Sequence, residues 1–293
     1  MIPMNTPVSR VPAAAVALAL SAAGCSAAGP TGGSAARAEG RVEVVAAFYP
    51  LQFVAERVGG QRVWVSSLTP PAVEPHDLEL SPQEVARIGE ADLALYLSGF
   101  QPAVDEAVAQ AGPPVAVDVS DTGVAQHFWL DPTLLAGVAA TVAEEFATID
   151  PDGAAAYRAA AEELADDLAA LDADFSQALA SCESRTIVVS HEAFGYLSDR
   201  YDLKQMGIAG LSPEAEASPA RLAEIGETVR AEGVTTIFTE PLVSPKVAET
   251  LASDLGITTR VLDPLEGLVD EESDYEQVMR ANLAALETAL RCE

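Results

Sequence analysis

The stretch DPDGAAAYRAAAEELADDLAALDADFSQALASC, residues 150–182, predicts one long helix in the middle of the chain. Asp150 and Pro151 form a helix start, because Asp is a preferred N-cap residue and Pro is tolerated at the first helical position. Apolar residues then recur every three or four positions on an otherwise acidic helix. They are Tyr157, Ala161, Leu164, Leu168, Leu171, Phe175 and Leu179. Such a helix, about 45 Å long, exceeds what one small domain needs, so we predict that it links two lobes. A coiled-coil oligomerisation helix is the alternative, and the short isolated stripe disfavours it.

Short apolar runs alternate with helical patterns on both sides of this helix, as is typical of strands buried on both faces. The runs are residues 42–47, 63–68, 93–97, 115–119, 186–190, 203–209, 235–239 and 259–262. Strands that alternate with helices form parallel sheets. We therefore predict an α/β fold in which two parallel-sheet α/β lobes are joined by one long rigid backbone helix. The predicted boundaries are 41–149 for the N-terminal lobe, 150–182 for the linking helix and 183–293 for the C-terminal lobe.

The first 24 residues have the features of a secretory signal peptide. They contain one base, Arg10, no acid, and a run of small apolar residues that ends at Gly24-Cys25. The run is shorter than the roughly 20 apolar residues that a membrane-spanning helix needs. We expect cleavage before Cys25 and lipidation of its thiol, which would anchor an extracytoplasmic protein to the cell membrane. Residues 25–40, rich in Ala, Gly and Ser, are predicted to form a flexible tether.

The composition is strongly acidic, with a formal net charge of −29. Because phosphate binding needs a basic surface, this charge excludes nucleic acid as a partner. An acidic surface can attract cations, although it also serves solubility.

Two further cysteines, Cys182 and Cys292, remain if Cys25 is lipidated. They lie far apart in the sequence, and neither belongs to a CxxC pair. In an exported protein this pattern favours a disulfide bond over a pair of metal-binding cysteines.

The sequence contains three histidines, and each follows a predicted strand. His76 follows 63–68, His127 follows 115–119, and His191 comes directly after 186–190. Asp263 comes directly after 259–262. Ligands of open parallel sheets bind at the carboxyl ends of the strands. These four residues, two from each predicted lobe, therefore predict a metal site in the cleft between the lobes.

Several neighbours of these residues could support the site. Glu192 and Glu240 could coordinate a metal or hydrogen-bond a ligating histidine. Glu74 could add an oxygen ligand, and a solvated loop charge is the favoured alternative. Trp129 and Leu130 are interpreted as core anchors that hold the loop of His127.

Six segments resemble the metal-binding lipoproteins of zinc and manganese ABC importers, the ZnuA-like and TroA-like solute-binding proteins. The segments are EPHDLELSP (74–82), HFWLDP (127–132), SHEAFGYL (190–197), GLSPEAE (210–216), TEPLVS (239–244) and LDPLEG (262–267). The resemblance runs from about residue 42 to residue 290. It implies two lobes joined by a rigid helix, His76, His127, His191 and Asp263 as metal ligands, and delivery of the metal to an ABC permease and its ATPase. We also expect a monomer.

Three imidazoles and one carboxylate favour zinc as the cargo, because a second carboxylate would suit manganese better. A manganese or general divalent-metal carrier is the alternative. A zinc hydrolase is disfavoured, because His191-Glu192 begins an HExxH pattern in which Gly195 replaces the second histidine. Four protein ligands would also leave no open position for water. A surface adhesin is the third alternative, and no motif in the sequence argues for it over transport.

Overall fold

Two separate four-stranded parallel sheets organise the computed structural model, which describes residues 40–270 and 272–293. The strands are β1 (Val42–Ala46), β2 (Val63–Ser67), β3 (Leu93–Tyr96), β4 (Ala116–Asp118), β5 (Thr186–Val189), β6 (Lys204–Gly207), β7 (Thr236–Thr239) and β8 (Thr258–Val261). Their order is β2-β1-β3-β4 in the first sheet and β6-β5-β7-β8 in the second. The α/β fold with two parallel sheets is therefore confirmed. The predicted signal peptide, Cys25 and residues 25–39 of the tether lie outside the described residues.

Nine α-helices surround these sheets within the described residues. They are α1 (Tyr49–Gly59), α2 (Pro82–Glu90), α3 (Pro102–Ala111), α4 (Pro132–Ile149), α5 (Ala154–Ala178), α6 (Gly195–Arg200), α7 (Pro219–Glu232), α8 (Lys246–Leu255) and α9 (Tyr275–Leu290). Local sequence explains several of the starts: the hydroxyl of Ser81 accepts from the Glu84 N–H ahead of α2, and the carboxylate of Asp131 caps α4. Across residues 40–270 and 272–293, no helix combines the length and the apolar character needed to cross a bilayer.

The long linking helix forms, but it is shorter than the predicted residues 150–182. Helix α5 has 25 residues, which corresponds to about 37 Å. Residues Pro151–Gly153 form a 3-10 turn ahead of it. Asp150 does not cap the helix, because its Oδ2 atom accepts hydrogen bonds from Tyr157 and Arg62, each at 2.9 Å. The predicted apolar stripe is buried, and α5 packs against α1, α4 and α9, which come from both halves of the chain.

One hydrophobic core extends across both halves of the molecule. It contains Val44 of β1 in the first sheet and Ile187 of β5 in the second, together with the buried face of α5. A smaller apolar cluster around Ile225 and Ile237 lies between the second sheet and helices α7 and α8. The boundaries at residues 149 and 183 stay a prediction, since the core itself does not divide there.

Acidic residues of α5 form ion pairs with arginines from both halves of the chain. Asp167 accepts from Arg57 of α1 at 2.6 Å, and the same guanidinium reaches Glu276 of α9 at 3.2 Å. Asp174 pairs with Arg280 of α9. The acidic side chains of the linking helix therefore pair with the flanking helices α1 and α9, in addition to making the protein more soluble.

The pair between Asp172 and Arg200 gives a test of this arrangement. The guanidinium donates two hydrogen bonds to the carboxylate, at 2.8 and 2.6 Å, and Tyr201 donates a third at 3.1 Å. The hydrogen bonds from Arg200 lower the pKa of Asp172. We expect Asp172→Asn to lower the free energy of unfolding by about 1 kcal/mol at pH 7, in urea titrations.

The sign of the pH dependence follows from the lowered pKa. The contribution of Asp172 is complete above its unfolded pKa, about 3.9, and is lost as pH falls through the folded value. The stability difference between the unmutated protein and Asp172→Asn should therefore shrink in acid. The exposed Asp166 on the same helix provides the control, Asp166→Asn, which should change stability little at either pH. A difference that stays constant down to pH 2 would contradict the assignment.

The predicted disulfide between Cys182 and Cys292 is present. Cys182 follows α5 and Cys292 follows α9, and an isolated antiparallel bridge joins the two backbones at the same point. The bond therefore fastens the C-terminus of the described chain to the end of the linking helix.

Candidate metal centre

Three histidines and one glutamate meet between the two sheets. Each of His76, His127, His191 and Glu266 offers a ligand atom within 4.8 Å of the others. The Oε1 atom of Glu266 lies 2.6 Å from Nε2 of His127, 3.2 Å from Nε2 of His191 and 3.3 Å from Nε2 of His76. The Nε2 atoms of His127 and His191 are 3.4 Å apart. His127, His191 and Glu266 are at most 1% exposed, whereas the side chain of His76 is 9% exposed, so three of the four members are closed to bulk water.

Loops at the carboxyl ends of the strands bring these side chains together. His76 follows β2 and His127 follows β4 in the first sheet, whereas His191 follows β5 and Glu266 follows β8 in the second. His127 has a positive φ of 66°, in the left-handed region, which turns the chain into the short 3-10 helix Phe128–Leu130. The structure thus brings together the three histidines that the sequence analysis selected, at the edge of the sheets where it expected them.

Asp263, the predicted fourth ligand, is not a member of this group, and the carboxylate that lies in the group is that of Glu266. The Oδ1 atom of Asp263 accepts a hydrogen bond from the N–H of Leu265 at 2.8 Å, and its own N–H donates to Asn282 at 2.8 Å. This turn, with Leu265 at a positive φ of 56°, directs the chain so that Glu266 reaches the centre. The choice of Asp263 rested on its position next to the strand and on the family resemblance, and neither shows how the loop redirects the chain. Glu266 lies three residues after Asp263 in the same segment, LDPLEG, so the sequence already contained a second candidate carboxylate.

Glu240 supports the centre through His191. Its Oε2 atom lies 2.6 Å from Nδ1 of His191, and its Oε1 atom accepts from the His191 backbone N–H at 3.1 Å. A carboxylate on one ring nitrogen of a histidine fixes the tautomer and leaves the other nitrogen free for a metal. Of the two roles that the sequence left open for Glu240, the geometry shows the hydrogen bond.

The other two acidic neighbours lie differently. The Oε1 atom of Glu74 accepts from the His76 N–H at 3.0 Å, while its Oε2 atom is buried without a hydrogen-bond partner among the described residues. Burial and the charge of Glu266 raise the pKa of Glu74 to about 7. Glu192 instead pairs with Arg221 at 3.1 Å. Neither belongs to the group around Glu266.

The charges at the centre are coupled. Burial alone would raise the pKa of Glu266, but hydrogen bonds with His127, His191 and His76 hold it well below its usual range. Burial also opposes the charged form of His191, yet Glu240 and Glu266 together raise the pKa of its ring to about 10. Burial lowers the pKa of His127. In the absence of a metal, the charge of the Glu266 carboxylate is therefore accompanied by a proton on the ring of His191.

These atoms have the spacing of a zinc site. Zinc in proteins is bound tetrahedrally by histidine nitrogens at about 2.0 to 2.1 Å, so neighbouring ligand atoms lie about 3.3 Å apart. The separations of 3.2, 3.3 and 3.4 Å match that edge length, and the 2.6 Å contact between His127 and Glu266 is shorter. Three neutral imidazoles with a single carboxylate also form a donor set that suits zinc.

Zinc binding to these residues should release protons. A metal must displace the proton on the ring of His191, whose pKa is about 10, so we expect zinc affinity to fall by up to about tenfold for each pH unit below 10. Isothermal titration at pH 7 and 8 in buffers of different ionisation enthalpy should count about one proton released per zinc ion. Glu240→Gln removes the carboxylate that raises this pKa and should reduce the count. Binding without proton release at pH 7 would contradict the charge assignment.

Comparisons with known proteins agree on one family. Residues 44–289 match the family model ZnuA, described as "Zinc-uptake complex component A periplasmic". The chain is 34% identical over 291 residues to the high-affinity zinc uptake system protein ZnuA of Bacillus subtilis, and the match covers 89% of this chain and 91% of that protein. It is 30% identical to the zinc-binding lipoprotein AdcA of Streptococcus pneumoniae, of which it spans 56%.

Solved structures show the same architecture. The Zn(II)-bound ZnuA-like domain of Streptococcus pneumoniae AdcA is similar with a TM-score of 0.75 and 30% identity, over 86% of this chain and 99% of that one. The laminin-binding protein Lmb of Streptococcus agalactiae, described as a bifunctional protein with adhesin and metal transporting activity, gives a TM-score of 0.79 and 31% identity, over 85% and 99% of the two chains.

Proposed function

Because the chain belongs to the ZnuA family of periplasmic zinc-uptake components, we propose that it captures Zn²⁺ outside the cytoplasm and delivers it to the permease of an ABC importer. The family is a transport component and not an enzyme, so zinc is the cargo of this site. The observation that carries the proposal is the buried group of three imidazoles around the carboxylate of Glu266.

We propose His76, His127, His191 and Glu266 as the zinc ligands. Two of them come from each sheet, so a bound ion would join the two halves of the molecule. A single carboxylate in the set disfavours manganese, which prefers more oxygen ligands, and the Irving–Williams order also places zinc above manganese. Copper and nickel would bind such a site as well, so their exclusion depends on supply.

We further propose that the protein acts as a monomer anchored to the membrane through a lipid on Cys25. The support is the lipobox-like sequence that precedes Cys25 and the description of the pneumococcal relative as a lipoprotein. A lipid anchor would keep the carrier near the permease and its ATPase, since a protein held at the membrane searches a smaller volume.

Thermal unfolding of the metal-stripped protein tests the zinc proposal. A ligand that binds only the native state stabilises it by about 2.7 kcal/mol at a concentration one hundred times its dissociation constant. Zinc should therefore raise the melting temperature by several degrees, and manganese at the same concentration should raise it less. A melting temperature that does not respond to zinc would refute the assignment, and equal responses to both ions would leave a general divalent-metal carrier.

Adhesion is a second candidate function, and the description of the laminin-binding relative favours it. Binding of this chain to immobilised laminin, with and without zinc, tests it. A lack of binding at micromolar protein would remove this candidate and leave the transport proposal unaffected.

A further inference from the structure

Trp129 contacts both halves of the metal centre. Its indole is fully buried, and its Nε1 atom donates a hydrogen bond to the carbonyl oxygen of Pro264 at 2.7 Å. Pro264 lies two residues before Glu266, in the loop after β8. The centre of the indole is also 5.4 Å from the centre of the His127 ring. One side chain thus touches a ligand from the first sheet and holds the loop that carries a ligand from the second.

His127 depends on this packing for its orientation. The Nδ1 atom of its ring is buried and has no hydrogen-bond partner within the described part of the chain. His191 differs, because Glu240 fixes its Nδ1 atom. The ring of His127 is instead flanked by the aromatic rings of Trp129 at 5.4 Å and Phe100 at 6.0 Å. Edge and tilted contacts of this kind fix ring orientation without a hydrogen bond.

A second cross-contact holds Trp129 itself. The hydroxyl of Tyr275, at the start of α9, donates to the carbonyl oxygen of Trp129 at 2.6 Å. Tyr275 is completely buried, and its ring stacks on Phe53 of α1 at 5.1 Å. The segment of Trp129 therefore exchanges two buried hydrogen bonds with the C-terminal half of the chain. Buried bonds of this kind are costly to lose, because each unpaired group cannot return to water.

We propose that Trp129 is a positioning residue for the metal centre, which aligns His127 with Glu266 by holding the carbonyl of Pro264. This inference rests on the proposed role of the centre in zinc binding. Trp129 donates no atom to the metal and acts only through the geometry of two ligands from opposite sheets. Supporting contacts of this kind typically change metal affinity tenfold to a hundredfold. Loss of the indole N–H should act mainly by speeding zinc dissociation, because the ligands would be present but misaligned.

Two variants test the proposal by different routes. Trp129→Phe removes the indole N–H and part of the contact with His127, whereas Tyr275→Phe removes only one hydroxyl and keeps the ring. Tyr157→Phe is the matched control, because it also deletes a hydroxyl that donates a hydrogen bond, to Asp150 at 2.9 Å, but it lies on the linking helix away from the centre. For each full-length protein we would measure the melting temperature without metal, the zinc dissociation rate, and the visible absorption spectrum of the Co²⁺ form.

The expected results separate positioning from general stability. Trp129→Phe should weaken zinc binding by about tenfold to a hundredfold and reduce the intensity of the Co²⁺ spectrum, as water enters the coordination sphere. Tyr275→Phe should also weaken zinc binding and reduce the intensity of the Co²⁺ spectrum, each by a smaller factor. Tyr157→Phe should lower the metal-free melting temperature and leave zinc dissociation and the Co²⁺ spectrum unchanged.

Other outcomes identify which statement fails. If the unmutated protein does not bind zinc, the proposed function is wrong. If it binds zinc and Trp129→Phe and Tyr275→Phe match the Tyr157→Phe control in dissociation rate and spectrum, the positioning role is wrong and the zinc function stands. If Trp129→Phe does not fold, the comparison of Tyr275→Phe with Tyr157→Phe in dissociation rate and spectrum decides whether the positioning role is right.

Discussion

Replacement of Glu266 by Gln is expected to weaken zinc binding by at least about a hundredfold, because loss of a ligand should cost more than loss of a supporting contact, which costs tenfold to a hundredfold. The Oε1 atom of this carboxylate lies within 3.3 Å of all three imidazole Nε2 atoms. The amide of glutamine keeps the shape of the side chain but lacks the negative charge that balances the positive charge of the zinc ion. Competition titration against a chromophoric zinc chelator would measure the difference.

Asp263→Asn is the matched control for this prediction. The Asp263 side chain accepts a hydrogen bond from the Leu265 N–H at 2.8 Å, and an amide oxygen can accept the same bond. This variant should therefore keep the turn that positions Glu266, and its zinc affinity should fall by less than about tenfold. The reverse order, with Asp263→Asn more damaging than Glu266→Gln, would restore Asp263 as the fourth ligand.

Removal of the disulfide is expected to have the largest effect on stability. The bond closes a loop of 110 residues, for which the chain-entropy model gives about 4 to 5 kcal/mol as an upper value. The double variant Cys182→Ser with Cys292→Ser should lower the free energy of unfolding by that amount or less, measured by urea titration. Its zinc affinity should change little, because neither cysteine belongs to the metal centre.

Reduction provides the control for the double variant. The unmutated protein treated with a thiol reductant should show the same loss of stability, and the variant should not respond to the reductant. If the oxidised protein and the double variant unfold at the same urea concentration, the bond does not stabilise the fold. If the oxidised protein reacts with a thiol reagent at Cys182 and Cys292, the bond is absent.

Local sequence was sufficient for the strands, because buried parallel strands are short apolar runs. Seven of the eight runs contain a strand of the structure, and the eighth, 259–262, overlaps β8 but starts one residue later than the strand. The stripe from Tyr157 to Phe175 likewise predicted a helix, since burial on one side requires apolar residues every three or four positions. The start at Asp150 was wrong, because that carboxylate accepts hydrogen bonds from Tyr157 of α5 and from Arg62, which lies 88 positions away in the sequence.

The sequence by itself determined that three histidines lie at the carboxyl ends of parallel strands, because residue order and strand direction together place them there. Only the tertiary structure decided the fourth member of the group. Asp263 and Glu266 are three residues apart. The turn that keeps Asp263 out of the group and positions Glu266 depends on Asn282 of α9 and on Trp129 of the other half of the chain. A strand pattern is a local property, whereas the direction of a loop side chain is determined by contacts between segments distant in sequence.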